Sequence, residues 1–89
     1  MESGMHFEDA LYMLKGGQRI SRAGWNGKGM FIYLVPADTY PARTKVAAEH
    51  FGPMVPYRAY IAMKTVDNEV VPWVASQSDL LADDWLVVA

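Results

Sequence analysis

Four of the five prolines of this 89-residue chain fall between residues 36 and 56. Proline lacks a backbone N–H and fixes φ, so no long helix or central strand can run through a stretch so loaded. The sequence there also has no clean hydrophobic period. It reads as a long loop over residues 36–56, with one helical turn around Thr44–His50. A loop of that length in so small a domain is usually functional or an interface element.

The flanks are periodic. Phe7, Ala10, Leu11 and Leu14 recur at helical spacing, with Glu8 and Asp9 in the opening turn and Lys15 in the last. Acid first and base last suits the helix dipole, and Gly16-Gly17 supplies a stop that needs positive φ. The spacing predicts a helix over residues 7–15. Arg19-Ile20-Ser21-Arg22 alternates as a strand, and Met30–Val35 is a second, aromatic one. Between them Asn26-Gly27 is a strong type I′ hairpin signal, because both central positions need φ > 0. Further on, Tyr57–Thr65 and Val70–Ala75 read as strands around an Asp67-Asn68 turn, with Pro72 demanding an edge or a bulge. Ser78 and Asp79 read as a helix start continuing through Ala82, and Trp85–Val88 as a closing strand. The fold class is α+β: a short N-terminal helix with a small antiparallel sheet built from hairpins, in a single domain over residues 1–89.

Composition adds the expectation of a partner. The chain is 52% hydrophobic, with three Trp, five Tyr and three Phe. A domain this short buries only about 60–65% of its unfolded surface. Large apolar side chains left outside so thin a core usually cover a subunit or a ligand, which points to a homo-oligomer. With no cysteine, disulfides and thiolate metal sites are impossible. A net charge of −2 argues against gripping a DNA or RNA polymer, but not against a small anionic ligand. No secretory signal and no membrane-length apolar run is visible, so a cytoplasmic protein without a membrane partner is expected.

Several residues carry chemistry under two readings. Trp25 beside a glycine-rich turn can stack on a base, which contributes on the order of 1–3 kcal/mol, or anchor the hairpin in the core. Asn26-Gly27-Lys28-Gly29 can meet a phosphate, yet it lacks P-loop spacing, and its glycines are ordinary for a hairpin. Met63 and Thr65, two apart on a strand, offer one face a thioether and a hydroxyl, or are simply core and sheet surface. Ser78 is an economical N-cap and Asp79 a first-turn acid. Asp83 or Asp84 can accept from an adenine amine or a ribose. Arg22 and Arg58 are the better phosphate donors, since guanidinium binds phosphate bidentately. His6 and His50 have no metal-ligand spacing, and Ser76 and Ser78 have no nucleophile elbow. No catalytic residue, metal or cofactor is expected. The enzymatic alternative, a cyclic-nucleotide hydrolase, would rest on Asp79, Asp83 and Asp84 holding Mg²⁺.

Four blocks carry a resemblance: Phe7-x-x-Ala10-Leu11-x-x-Leu14-Lys15-x-Gly17, Arg22-x-Gly24-Trp25-Asn26-Gly27-Lys28-Gly29-Met30, Met63-Lys64-Thr65, and Val71 to Trp85. Together they resemble the phage Thoeris anti-defence sponge family of the second type, from about Met5 to the C-terminus. The stretch from Ala37 to Met54 departs from the pattern. The resemblance implies a homotetramer in the host cytoplasm that captures glycocyclic ADP-ribose, the signal made by the TIR-domain enzyme of the host defence. Captured rather than degraded, that signal no longer activates the NAD-depleting effector. Some relatives hold cyclic oligonucleotides at a separate site, making cyclic dinucleotides a second ligand class. Under this resemblance Trp25 is a stacking residue, and the ligand-binding candidates are Phe7, Trp25, Asn26, Lys28, Arg58, Met63, Thr65, Trp73, Ser76, Gln77 and Asp84. The competing non-enzymatic reading is a small phage structural or protein-interaction module.

Overall fold

A computed structural model describes residues 3–25 and 28–89. The N-terminal helix α1 runs Phe7–Lys15, with Glu8 and Asp9 at its start and Lys15 at its end, as the spacing predicts. Its terminus is a Schellman motif. The Gln18 N–H donates to Met13 O at 3.1 Å and the Gly17 N–H to Leu14 O at 3.0 Å. Gly17 carries the left-handed φ of 90° that this closure requires.

Five strands follow in one antiparallel sheet: β1 (Arg19–Arg22), β2 (Phe31–Val35), β5 (Tyr60–Lys64), β6 (Val70–Pro72) and β7 (Trp85–Val88). Their spatial order is β6-β5-β2-β1-β7. The register sets Val87, Ile20, Ile32, Met63 and Val71 side by side across all five strands. That apolar row faces α1, whose Ala10 and Leu14 are fully buried against Ile20, Ile32 and Trp85. The other sheet face carries Phe31, Tyr33, Val35, Tyr60, Leu86 and Val88, and among the described residues no helix packs on it.

Pro72 lies on the edge strand, where its missing N–H costs no ladder bond. It also ends that strand, so β6 stops short of the expected Ala75. The strand expected over Tyr57–Thr65 is divided, because Tyr57 belongs to an earlier strand and β5 starts at Tyr60. Strand β1 ends at Arg22 and β2 starts at Phe31, with Ile20 paired to Ile32. Asn26 and Gly27, on which the type I′ expectation rested, lie outside the described residues.

The largest departure from the sequence reading is the proline-rich segment. It is an arm rather than a loop: β3 (Asp38–Pro41) and β4 (Met54–Tyr57) pair antiparallel around α2 (Lys45–Phe51), which stands where a helical turn around Thr44–His50 is expected. The prolines fit because of their phase. Thr39↔Pro56 and Pro41↔Met54 alternate with hydrogen-bonded positions, one of them marked by the Ala42 N–H donating to Pro53 O at 2.9 Å, where Pro53 needs only to accept. At the alternate positions an N–H would point away from the partner strand, so its loss is tolerated. Thr44 caps α2 by accepting from the Ala47 N–H at 3.1 Å.

Candidate functional site

The connection from β6 to β7 crosses from one sheet edge to the other, and its Trp73 joins Phe7 of α1, Trp25 beyond β1 and Trp85 of β7 in one aromatic cluster. Phe7 packs against Trp73 with ring centroids 6.0 Å apart and against Trp85 at 5.4 Å. Trp25 and Trp73 meet Trp85 edge-on, at 5.5 Å and 6.0 Å. Such edge-to-face contacts suit the ring quadrupoles and add to the area buried. Trp85 is fully buried, while Phe7, Trp25 and Trp73 are half-buried.

Around these rings lies a charged network. The Arg22 guanidinium sits 5.9 Å over the Trp85 ring and donates from Nε to Asp84 Oδ1 and from Nη1 to Asp79 Oδ1, both at 2.8 Å. The other Asp84 oxygen accepts from the Gly24 N–H at 2.8 Å. A Cβ at Gly24 would stand 2.8 Å from Asp84 Oδ2, so only glycine lets the carboxylate reach that backbone. The Asp84 carboxyl is held below the usual carboxylate range chiefly by the Arg22 hydrogen bond. At Asp79 burial pushes the carboxyl up, but bonds from Arg22, Ser76 and Trp25 outweigh it and the net shift is downward. The Arg22 pKa rises in turn, first through Asp84 and then Asp79.

The short helix α3 (Gln77–Leu80) starts one residue beyond its cap, which is Ser76 and not Ser78 as expected. Ser76 Oγ accepts from the Asp79 N–H, and Asp79 Oδ2 accepts from the Ser76 N–H, each at 3.1 Å. This reciprocal capping box selects Ser76 because its partner acid stands three residues on, whereas Ser78 has Leu81 at that position.

The structure thus brings Phe7, Trp25, Trp73, Ser76, Gln77 and Asp84 to one end of the helix-bearing face. Met63 lies on the same face but packs into the core row beside Ile32. Thr65 lies just past β5, where its hydroxyl accepts from the Glu69 N–H at 3.1 Å and shapes the turn. Lys28 is exposed near the same end of the sheet, and Asn26 falls outside the described residues. Arg58 is elsewhere. It sits beside Tyr60, which pairs with Val35, at the opposite end of the sheet from Trp25; four strand positions alone separate the two ends by about 13 Å. Arg22, expected to be a phosphate donor, has two of its three nitrogens committed to carboxylates.

Two residues outside the ligand-binding candidates organise this cluster: Asp79, expected as a first-turn acid, and Gly24, named only within a resemblance block. Their signals were present as Ser76-x-x-Asp79 and as a glycine immediately before a tryptophan. Among the described residues no three His, Asp or Glu side chains come together in a group able to hold a metal ion. Clefts open elsewhere, of about 330 Å³ at Tyr40, Arg43, Tyr57 and Tyr60, about 420 Å³ on the uncovered sheet face at Arg19, Phe31 and Tyr33, and about 450 Å³ beside the end of α1 at Tyr12 and Met13.

Fold and cluster define a small α+β protein carrying aromatic side chains beside a network of one guanidinium and two carboxylates. Residues 5–88 match the Thoeris anti-defense 2-like domain, and the chain belongs to that family. It is similar to Thoeris anti-defense 2 of Bacillus phage SP01, with 37% identity over 89 residues covering 100% of both chains, residues 37–54 included. The family places it among the phage anti-defence proteins directed at Thoeris.

Proposed function

We propose that this protein sequesters a cyclic ADP-ribose-type immune signal, glycocyclic ADP-ribose, inside the host cytoplasm and returns it unchanged. The observation that carries this reading is the cluster of half-buried aromatic residues Phe7, Trp25 and Trp73 at one end of the fold, in a chain of the Thoeris anti-defence family. A flat purine gains from such a surface by stacking. Sequestration without turnover is supported by the state of the acids: Asp79 and Asp84 are engaged by Arg22 and by backbone N–H groups, which occupies the oxygens a hydrolytic Mg²⁺ would use. Cyclic dinucleotides are a second ligand class, for a separate site.

The active species in this proposal is a homotetramer with pockets completed between subunits. The chain exposes 6388 Å², against roughly 5,200 Å² for a compact monomer of its mass. The excess comes from an elongated shape, 46 × 25 × 25 Å, whose arm and open sheet face present Phe51, Met54, Tyr57 and Tyr60 to solvent. Contacts through such surface would hold the subunits together, and in such an assembly a neighbour's residues, its Arg58 among them, would complete the pocket beside the indole cluster.

Incubating the protein with lysate from defence-activated cells, then analysing heat-released material by mass spectrometry, tests the proposal. Intact signal nucleotide supports sequestration, a cleaved product identifies an enzyme, and no nucleotide identifies a structural or protein-interaction module. Trp25→Ala is expected to abolish capture while the oligomer persists in light scattering. Dissociation of that variant would make Trp25 a packing residue instead.

A further inference from the structure

Asp79 makes more polar contacts within the cluster than any residue proposed to touch the ligand. Its Oδ1 accepts from Arg22 Nη1 at 2.8 Å and from the Trp25 indole Nε1–H at 3.4 Å. Its Oδ2 and its backbone N–H complete the capping box with Ser76. Its backbone carbonyl accepts from the Trp85 indole Nε1–H at 2.9 Å. One residue therefore holds two of the three indole N–H groups in the chain, together with the guanidinium between them.

The Trp25 ring needs such a constraint. Its edge-on contact with Trp85, at 5.5 Å and 80°, fixes where the ring lies. It does not fix which way round the ring lies, because the outer side-chain torsion of an aromatic residue is broad and close to two-fold. Turning the indole over would keep most of the packing while sending its N–H and its six-membered ring to exchanged sides. Indole is a donor only, so an acceptor at a defined point separates the two orientations. Asp79 Oδ1 is that acceptor, and it is itself held by Arg22, which Asp84 holds from the other side. The side chain is 13% exposed, so water competes weakly for the bond.

We propose that Asp79 is a positioning residue that selects the orientation of the Trp25 indole and so sets the aromatic face offered to a purine. The role rests on the sequestration reading for its consequence, but its first effect concerns the free protein.

The free-protein test is the Trp25 indole N–H signal in ¹H–¹⁵N spectra. Asp79→Ala should shift that resonance and speed its exchange with solvent roughly ten-fold, the loss expected for a hydrogen bond to a charged acceptor. Asp79→Asn, which keeps a side-chain carbonyl in place, should recover part of the wild-type signal and serves as the main variant if Asp79→Ala fails to fold. Ile61→Ala weakens the core from β5 while replacing none of the groups bonded to Asp79 or Trp25, and is the control for a purely structural effect; it should leave the Trp25 resonance in place. Titration with glycocyclic ADP-ribose should then show about 5- to 10-fold weaker binding for Asp79→Ala and less than about two-fold for Ile61→Ala. An unmoved Trp25 signal in Asp79→Ala, or an equal change in Ile61→Ala, overturns the proposal. So does a displaced signal with unaltered affinity. If the wild-type protein fails to bind the nucleotide, the sequestration reading falls, while the indole signal still decides whether Asp79 orients Trp25.

Discussion

The two ends of this molecule solve the problem of a short chain in opposite ways. At the indole end nearly every strong group has an internal partner: Trp85 is buried, its N–H is bonded, and Arg22 is neutralised twice. In the arm, Val55 is the one buried side chain among residues 36–57, and α2 buries none. A two-stranded ribbon with a two-turn helix is at best marginally stable alone in water. One region is complete within the protomer, and the other is built as though more surface were to meet it.

Substitutions should expose this difference in graded fashion. The largest effect is expected for Trp85→Ala, which removes the ring that Phe7, Trp25 and Trp73 all contact. A loss of about 3–5 kcal/mol in urea unfolding is expected; a loss below 1 kcal/mol would mean the aromatic end is not the stable one. Arg22→Ala should cost about 2 kcal/mol, because it strands two carboxylates that are largely shielded from water.

Acid should act on the same end. Asp79 and Asp84 have folded pKa values below their ordinary 3.8, so the folded state favours their ionised forms. Their contribution is therefore fully present above the ordinary carboxylate range and is lost as pH falls from about 4 through the lowered folded values. Melting temperature measured from pH 6 to pH 2 should drop over that lower interval, and the drop should shrink in Arg22→Ala.

The smallest effect on protomer stability belongs to the arm. Val46 and Phe51 are 76% and 51% exposed, so replacing both with serine should change unfolding by less than about 0.5 kcal/mol if the chain is alone. A much larger loss, concentration-dependent and accompanied by dissociation in light scattering, would show that the arm is buried between subunits. Amide exchange offers the finer measurement, with α2 expected to exchange faster than β1 and β2 in any monomeric fraction.

Much of the architecture follows from the sequence alone, because it is written in local physics. The helix over residues 7–15 follows from a 3.6-residue period with matched charges, and its stop follows from a glycine able to take φ of 90°. The edge position of Pro72 follows from a missing donor. The arm was misread because its prolines are harmless only in one phase of one pairing, and phase depends on a partner strand that no window reveals. The helix cap lies at Ser76 rather than the expected Ser78 for a milder reason: two serines compete, and only Ser76 has an acid three residues on.

What only the tertiary structure decided is who meets whom. Arg22 stands 57 residues from Asp79 and 62 from Asp84, and Gly24 stands 60 from the carboxylate that needs it to be glycine. Periodicity fixes which side of an element is apolar, since it depends on neighbours a few residues away. The pairing of a guanidinium with two distant acids depends on how the elements cross, and that geometry turns a phosphate-donor candidate into the centre of a closed network.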